Sequence, residues 1–368
     1  MKKVKVIYVL ASLNVCNGMV SYAMNYFRNI DKSRFEIDFI VSDSNESPYY
    51  DEIISCGSKV YIMPDLKIKN TFKLIDKVEN LFRNNNYDII HCHIPNAGMF
   101  YLRAAKKYGV NNRILHSHAT KSADKILKKI RNDIIIPISK AYANINFACT
   151  EDAGNYLFGN DYTIIKNAIN LEIYDYNSTI RNEKRKELGI EDKFVIGNVG
   201  RFSAQKNPIF TIEIFNEIYK KNNRALLLMI GDGPLEREVI EKIQQYNLDK
   251  QVIILSNRTD INELYQAMDI FLLPSLYEGL GIVYIEAQVS GLTTFASNQV
   301  PREAKISDDM HFLDLKEGAI SWANKILEYS YRYKRVGNLK LAENYGYNIK
   351  IEAKKLEDIY NKLLEEKV

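Results

Sequence analysis

A chain of 368 residues is longer than one hydrophobic core usually supports, so two domains of roughly 150–200 residues each are expected. Hydrophobic residues at 46% and charged residues at 26% exclude a wholly disordered chain, and no run approaches the roughly 18–20 apolar residues that cross a bilayer. The net charge is only +4, with 23 Lys and Arg against 18 Asp and Glu in residues 1–175 and 27 against 28 in the remainder. That mild asymmetry suits an anionic surface or substrate near the first half and requires no nucleic acid.

Cys16, Cys56, Cys92 and Cys149 form no CxxC pair, so neither a zinc knuckle nor a redox dithiol is indicated and a reduced, cytosolic compartment fits. The opening MKKVKVIYVLASLNV places basic residues before an apolar run. The run is short and lacks a small-x-small cleavage site, so it reads as a buried first strand rather than a secretory leader.

In chain order, short apolar runs alternate with longer amphipathic segments. Strands are expected at 4–10, 35–41, 59–64, 87–93, 113–119 and 133–139, with helices at 18–30, 48–56, 70–85, 97–108 and 121–131 between them. This alternation predicts a parallel sheet with helices on both faces. The polar stretch 177–193 reads as a linker and an entering helix. A second series then places strands at 194–200, 225–231, 251–256, 270–275 and 292–297, with helices at 208–221, 234–246, 260–267 and 282–290. The fold class is therefore α/β, two doubly wound Rossmann-like domains facing across a cleft. The expected limits are 1–175 for the first, 176–345 for the second, and 346–368 for a final helix that returns to the first domain.

Ligands of such sheets sit beyond the carboxyl ends of the strands, which directs attention to the strand-to-helix loops. Gly18, after Asn17 at the first helix, would let a ligand approach free N–H groups, although a lone glycine is more often a turn residue. GRFSAQKN at 200–207 puts Arg201 and Lys206 in one loop, where two cations can converge on a diphosphate. GDGPLE at 231–236 makes a tight turn through Gly231 and Gly233, with Pro234 opening a helix. Arg258 follows another strand, and Asp260 is a candidate cap for the 261–267 helix. PSLYEGLGIVYIEA at 274–287 carries Glu278 before a glycine-rich turn and Glu286 eight residues later on an apolar helix, where a carboxylate needs partners. His91 and His93 end one strand, and His116 and His118 another, each pair pointing to one side. A zinc site is weakened because no Cys or acid joins them at a recognised spacing.

In this order the segments resemble the GT-B glycosyltransferases, specifically the large retaining group of glycosyltransferase family 4, of the bacterial exopolysaccharide and capsule type. The resemblance covers nearly the whole chain and is strongest from Gly200 to Gly291. It implies that Arg201 and Lys206 hold the donor diphosphate and stabilise its departure, and that Glu278 binds the donor sugar. Backbone groups of Gly279, Leu280, Gly281, Ile282 and Val283 would assist, Glu286 would bind ribose, and Gly18, Gly233 and Arg258 would line the nucleotide sugar. A histidine near the reacting sugar corresponds to His118 or His116, with His118 preferred because the loop begins immediately after it. The resemblance implies no cofactor and no divalent metal, a nucleoside-diphosphate sugar as donor (UDP by family frequency), and retention of anomeric configuration. Many relatives carry two glycines in the first loop, where this chain has Asn17-Gly18-Met19.

The basic segment KSADKILKKIRND at 121–133, with Lys121, Lys125, Lys128, Lys129 and Arg131 beside Ile126, Leu127 and Ile130, is compatible with an amphipathic helix on anionic lipid. LKIKNTFKLIDK at 66–77 adds positive charge. The expected acceptor is a glycan or lipid-linked oligosaccharide, the expected location cytoplasmic and peripheral on the inner face of the membrane. The alternatives are a small soluble acceptor, a noncatalytic nucleotide-binding protein, and an NAD-linked oxidoreductase, the last disfavoured by the missing GxGxxG.

Overall fold

Runs of Val, Ile, Leu and Phe that are buried on both faces form the strands. The first strand, Val4–Val9, illustrates this, with Val6 to Val9 at 0% exposure, as expected when helices cover a parallel sheet on both sides. The computed structural model describes residues 3–14, 17–43, 47–119, 126–256, 258–330 and 335–365. The chain divides into unit 1, Met1–Ala168 with Ile349–Val368, and unit 2, Ile169–Asn348.

In unit 1, β1 (Val4–Val9), β2 (Phe35–Val41), β3 (Val60–Ile62), β4 (Ile89–Cys92), β5 (Asn112–Ser117), β6 (Ile145–Ala148) and β7 (Thr163–Ile164) form a sheet in the order β3-β2-β1-β4-β5-β6-β7. In unit 2, β8 (Phe194–Val199), β9 (Ala225–Ile230), β10 (Val252–Leu255), β11 (Ile270–Leu273), β12 (Thr293–Ser297) and β13 (Met310–Leu313) run β10-β9-β8-β11-β12-β13. The named pairings are all parallel. Each order reverses once, between β1 and β4 and between β8 and β11, and such switch points are where doubly wound sheets bind ligands.

The last helix, Ile349–Glu365, belongs to unit 1. Ile349, Ala353, Leu356 and Tyr360 recur at helical spacing, and all are buried in one cluster with Tyr8, Tyr22 and Phe35. Glu357 on this helix accepts a hydrogen bond from the backbone N–H of Asp31 at 2.9 Å.

One expected strand is absent from the sheet. Residues 133–139 are not a strand but the middle of a helix, Ile126–Tyr142, with Pro137 inside it. A seven-residue apolar run cannot by itself separate strand from helix. Tertiary packing decides here: a Cβ added at Gly98 would stand 3.1 Å from Ser139 Cβ, so the helix that begins at Gly98 lies close against this one. The fifth crossover of the sheet is completed by the short β6 instead. The strands β6, β7 and β13 and the helix Glu151–Phe158 extend both series beyond the sequence reading. The Glu151–Phe158 helix is capped by Thr150, whose hydroxyl accepts from Ala153 N.

Candidate active site

In unit 2 the loops that follow β8 and β11, the strands flanking the switch point, are bonded into one structure. Leu276 N donates to Gln205 O at 2.8 Å, and Gln205 Nε2 donates to Tyr277 O at 3.1 Å and to Glu278 Oε2 at 3.3 Å. Asn207 Nδ2 donates to Pro274 O at 3.3 Å. At the centre, Lys206 Nζ lies 2.6 Å from Glu278 Oε1, which also accepts from Ser275 Oγ at 2.7 Å. The Ser275 hydroxyl is in turn 3.2 Å from Tyr284 OH. Glu278 is buried, and a carboxylate so placed is tolerable because a cation and two neutral donors surround it. Arg201, on the same loop as Lys206, is exposed.

The turn after β9 is shaped by close backbone approach. A Cβ added at Gly231 would stand 2.1 Å from Gly200 O, and one at Gly233 would stand 2.5 Å from Phe202 O. Phe202 N donates to Asp232 O at 2.7 Å. Both glycines are thus required for this turn to interlock with the Gly200–Phe202 segment. Gly281, with φ 79°, opens the helix Ile282–Val289. Gly279, Gly281, Ile282 and Val283 are partly exposed and Leu280 is buried. The first N–H groups of that helix have no partner within it.

Glu286 lies farther along this helix and is buried. Its two oxygens accept from different tyrosines, Tyr174 OH at 3.1 Å and Tyr265 OH at 2.9 Å. Burial pushes its carboxyl up to about 7, opposed by the hydrogen bonds from Tyr265 and Tyr174 and by Lys206.

Arg258 sits in an ion cluster. Its Nε is 2.7 Å from Asp260 Oδ1 and its guanidinium 3.7 Å from Glu187, in a cluster where Lys184 Nζ is 2.9 Å from both Asp260 and Glu263. Asp260 therefore makes no side-chain cap on the Ile261–Ala267 helix: its oxygens are taken by Arg258 and Lys184, stronger charge-assisted donors than a backbone N–H. Asn257 lies outside the described residues.

In unit 1, Gly18 starts the helix Gly18–Asn29, and the Asn17 side chain caps it by accepting from Met19 N at 3.0 Å. A Cβ at Gly18 would meet nothing within 4 Å, so packing does not demand glycine there. The four histidines form two pairs. His91 Nε2 is 2.9 Å from His116 Nδ1, and His93 Nδ1 is 2.9 Å from His118 Nε2. Burial pushes all four rings below the ordinary imidazole range, His118 to about 3. Ring nitrogens of His91, His93 and His116 lie within 4.8 Å of one another. Both nitrogens of His91 are already engaged, by His116 and by Tyr360 OH at 2.7 Å, so the set is built as a hydrogen-bonded network.

Unit 2 thus brings together Lys206 and Glu278, places Glu286 on the adjoining helix, and leaves Arg258 in a separate ion cluster. Sequence reasoning missed Gln205, Ser275, Tyr174 and Tyr265, which hold the two glutamates. The available signal was the excess of tyrosine, 25 residues, since a phenol can satisfy a buried carboxylate.

The family model for "Glycosyl transferases group 1" matches residues 180–329, and that for "Glycosyltransferase Family 4" matches residues 16–173. "Putative glycosyltransferase EpsF" of Bacillus subtilis is 30% identical over 370 residues, 97% of this chain and 96% of that protein. The chain is a member of glycosyltransferase family 4. This family 4 enzyme is also 26% identical over 309 residues to the "UDP-Gal:alpha-D-GlcNAc-diphosphoundecaprenol alpha-1,3-galactosyltransferase" of Escherichia coli, covering 80% of each. Its fold is that of the GT-B enzymes. The crystal structure of Anabaena HepE in complex with UDP and glucose matches with a TM-score of 0.78 at 14% identity, over 98% of this chain and 100% of that one.

Proposed function

We propose that this glycosyltransferase moves a hexose or N-acetylhexosamine, with retention, from a nucleoside-diphosphate sugar to a growing lipid-linked glycan of a cell-surface polysaccharide, with UDP as the nucleotide. The observation that carries the donor reading is the Lys206–Glu278 pair, 2.6 Å apart at the junction of the two switch-point loops. A diphosphate needs cations and a sugar needs a fixed acceptor of hydroxyl hydrogen bonds, and this junction supplies both. The E. coli relative named for a UDP-Gal donor and an undecaprenol-linked acceptor supports the substrate classes.

When the bond between the anomeric carbon and the diphosphate oxygen breaks, negative charge grows on the leaving phosphate. Lys206 and Arg201 stabilise that charge. The acceptor hydroxyl forms the new bond to the anomeric carbon, and its proton passes to the leaving phosphate on the same face. Glu278 holds sugar hydroxyls and does not act as the nucleophile, the backbone of Gly279 to Val283 assists, and Glu286 receives the ribose diol. Gly233 acts through backbone shape. Arg258, paired through Nε with Asp260, lines the nucleotide, while the phosphate role rests on Arg201 and Lys206. His118 meets the donor sugar as a neutral hydrogen-bonding group. Gly18 keeps the first loop open to the ligand, since no contact among the described residues requires a glycine there.

Peripheral contact with anionic lipid at the inner face of the cell membrane completes the reading. No helix among the described residues is long and apolar enough to cross a membrane. On the Ile126–Tyr142 helix, Ile130, Ile134 and Ile138 recur every four residues and are 55%, 63% and 37% exposed, beside exposed Lys129 and Lys140. An apolar stripe flanked by lysines is the composition of an interfacial helix. Lys121 and Lys125 lie outside the described residues. The deciding experiment offers a panel of nucleotide sugars with extracted lipid-linked acceptors and determines product mass and linkage. Turnover confined to a nonglycan acceptor would overturn the assignment.

A further inference from the structure

The loops that follow β1, β2 and β3 enclose a cleft of about 620 Å³ in unit 1 that the donor reading leaves unused, a size that takes a small-molecule ligand. Ala11 lines it just past β1, Ser42 and Asp43 just past β2, and Pro64 just past β3. Ser42 N donates to Ala11 O at 3.2 Å and Met63 N to Val41 O at 2.8 Å, so the three loops are bonded side by side. The cleft therefore stands at the carboxyl ends of three parallel strands, the end of a doubly wound sheet where ligands bind.

Its remaining wall comes from the helix Thr71–Asn84. Leu74 and Val78 are buried in a core cluster of unit 1 and seat that helix. Lys73 and Lys77, one position before each, are exposed and line the cleft. Residues four apart on a helix are neighbours, and two like charges so placed repel each other. Lys73 and Lys77 make no ion pair with any described residue. Nearby carboxylates are taken: Asp65, which also lines the cleft, is paired with Lys67 and accepts from Asn70, and Glu79 on the same helix is held by Lys107 at 2.6 Å. Two adjacent ammonium groups without a counter-ion suit a ligand of two or more negative charges, as a phosphate is. Ile62, 44% exposed, adds an apolar patch to the lining, and Ser42 and Asp43 add oxygens that can meet sugar hydroxyls.

Resting on the lipid-linked acceptor of the proposed function, we propose that this cleft is the acceptor's phosphate subsite: Lys73 and Lys77 hold the phosphate or diphosphate that joins glycan to lipid, with the adjoining sugar against Ile62, Ser42 and Asp43. No bond forms or breaks there. The subsite sorts acceptors by charge, favouring a glycan that still carries its phosphate over the same glycan released as a neutral sugar. It also gives the positive excess of residues 1–175, 23 Lys and Arg against 18 Asp and Glu, a ligand to act on.

The test compares three acceptors: the extracted lipid-linked glycan, the same glycan cut from its lipid but keeping its phosphate, and the glycan freed of both. In the double variant Lys73→Ala, Lys77→Ala, KM for the two phosphorylated acceptors should rise by at least about tenfold, since one charge-assisted contact is worth about that. KM for the neutral glycan should stay within about twofold. Lys73→Arg, Lys77→Arg should keep most of the preference for phosphate. Wild-type KM for the phosphorylated acceptors in the folded alanine variant would overturn the subsite, and so would an equal rise for all three. A rise confined to the lipid-linked glycan would overturn it too, because the lysines would then be meeting a membrane surface. Calorimetric titration of inorganic pyrophosphate into UDP-saturated protein tests the cleft apart from the acceptor reading. Wild type should bind pyrophosphate at least about tenfold more tightly than the alanine variant, and equal binding would overturn the cleft as an anion site. Tighter wild-type binding in an enzyme that turns over no lipid-linked glycan would sink the acceptor reading and uphold the anion site.

Discussion

Glu278 Oε1 receives Lys206 Nζ at 2.6 Å, with the carboxylate side chain 5% exposed and the lysine side chain 19%. The cation assigned to the leaving diphosphate is thus neutralised, without ligand, by the carboxylate assigned to the sugar. The pair holds its own loops together, since both residues are bonded to the same β8 and β11 turns. A diphosphate adds charge that Lys206 alone cannot balance, which is the part proposed for the exposed Arg201.

Removing one partner should cost more than removing both. Lys206→Ala leaves a buried carboxylate without its cation, and should lower stability by about 1–3 kcal/mol, less than for a fully buried pair because the lysine is partly solvated. The double variant Lys206→Ala, Glu278→Ala should be more stable than the Lys206→Ala single variant while remaining inactive. Urea unfolding of the four proteins measures the coupling, and additive losses would show that the pair does not stabilise the loops.

Glu286 should give stability a pH slope. Its carboxyl is raised from 4.5 to about 7 by burial, so between those values the folded chain holds a proton that the unfolded chain has released. Stability from this group is full below pH 4.5 and is lost as pH rises toward 7, by on the order of 3 kcal/mol. Glu286→Gln should remove that loss in thermal melts from pH 5 to pH 8. The four histidines act oppositely: their folded values lie below 6.5, so they destabilise the fold as pH falls below 6.5 and the unfolded chain gains protons. Equal pH slopes for wild type and Glu286→Gln would contradict the buried, proton-holding carboxyl.

Two glycines should separate folding from ligand contact. Gly231→Ala places a Cβ 2.1 Å from Gly200 O and should destabilise by about 2 kcal/mol or more. Gly18→Ala meets no atom within 4 Å, and should fold as well as or slightly better than wild type, by about 0.4–1 kcal/mol. If Gly18 lines the ligand, the same variant should raise KM or lower kcat. Melting temperatures beside kinetics give both readouts, and an unaltered Gly18→Ala enzyme would remove Gly18 from the site.

Replacing Ile130, Ile134 and Ile138 by Asn should reduce co-sedimentation with anionic vesicles at low salt, while activity on a soluble acceptor analogue is kept. Wild-type enzyme that shows no preference for anionic over neutral vesicles would remove the membrane from the account.

The sequence made the doubly wound plan legible because strands buried on both faces are continuous apolar runs and their helices are longer and amphipathic. It made the order of site loops legible because glycines, cations and glutamates recur at strand ends. It could not place residues 133–139, where Gly98 and Ser139, about forty positions apart, bring two helices together. Nor could it show that Asp260 serves Arg258 and Lys184 rather than a helix end, or that Tyr174 and Tyr265 close over Glu286. Each of these depends on contacts between distant segments, which periodicity does not encode.

In the proposed donor site Lys206 holds the diphosphate and Glu278 the sugar. Calorimetric titration of UDP and of the UDP-sugar donor into wild type, Lys206→Ala and Glu278→Gln tests it most directly. Lys206→Ala should weaken both ligands by at least about tenfold, or 1.4 kcal/mol, while Glu278→Gln should keep UDP affinity and lose the increment that the sugar adds. Wild-type affinities for both ligands in both folded variants would contradict it.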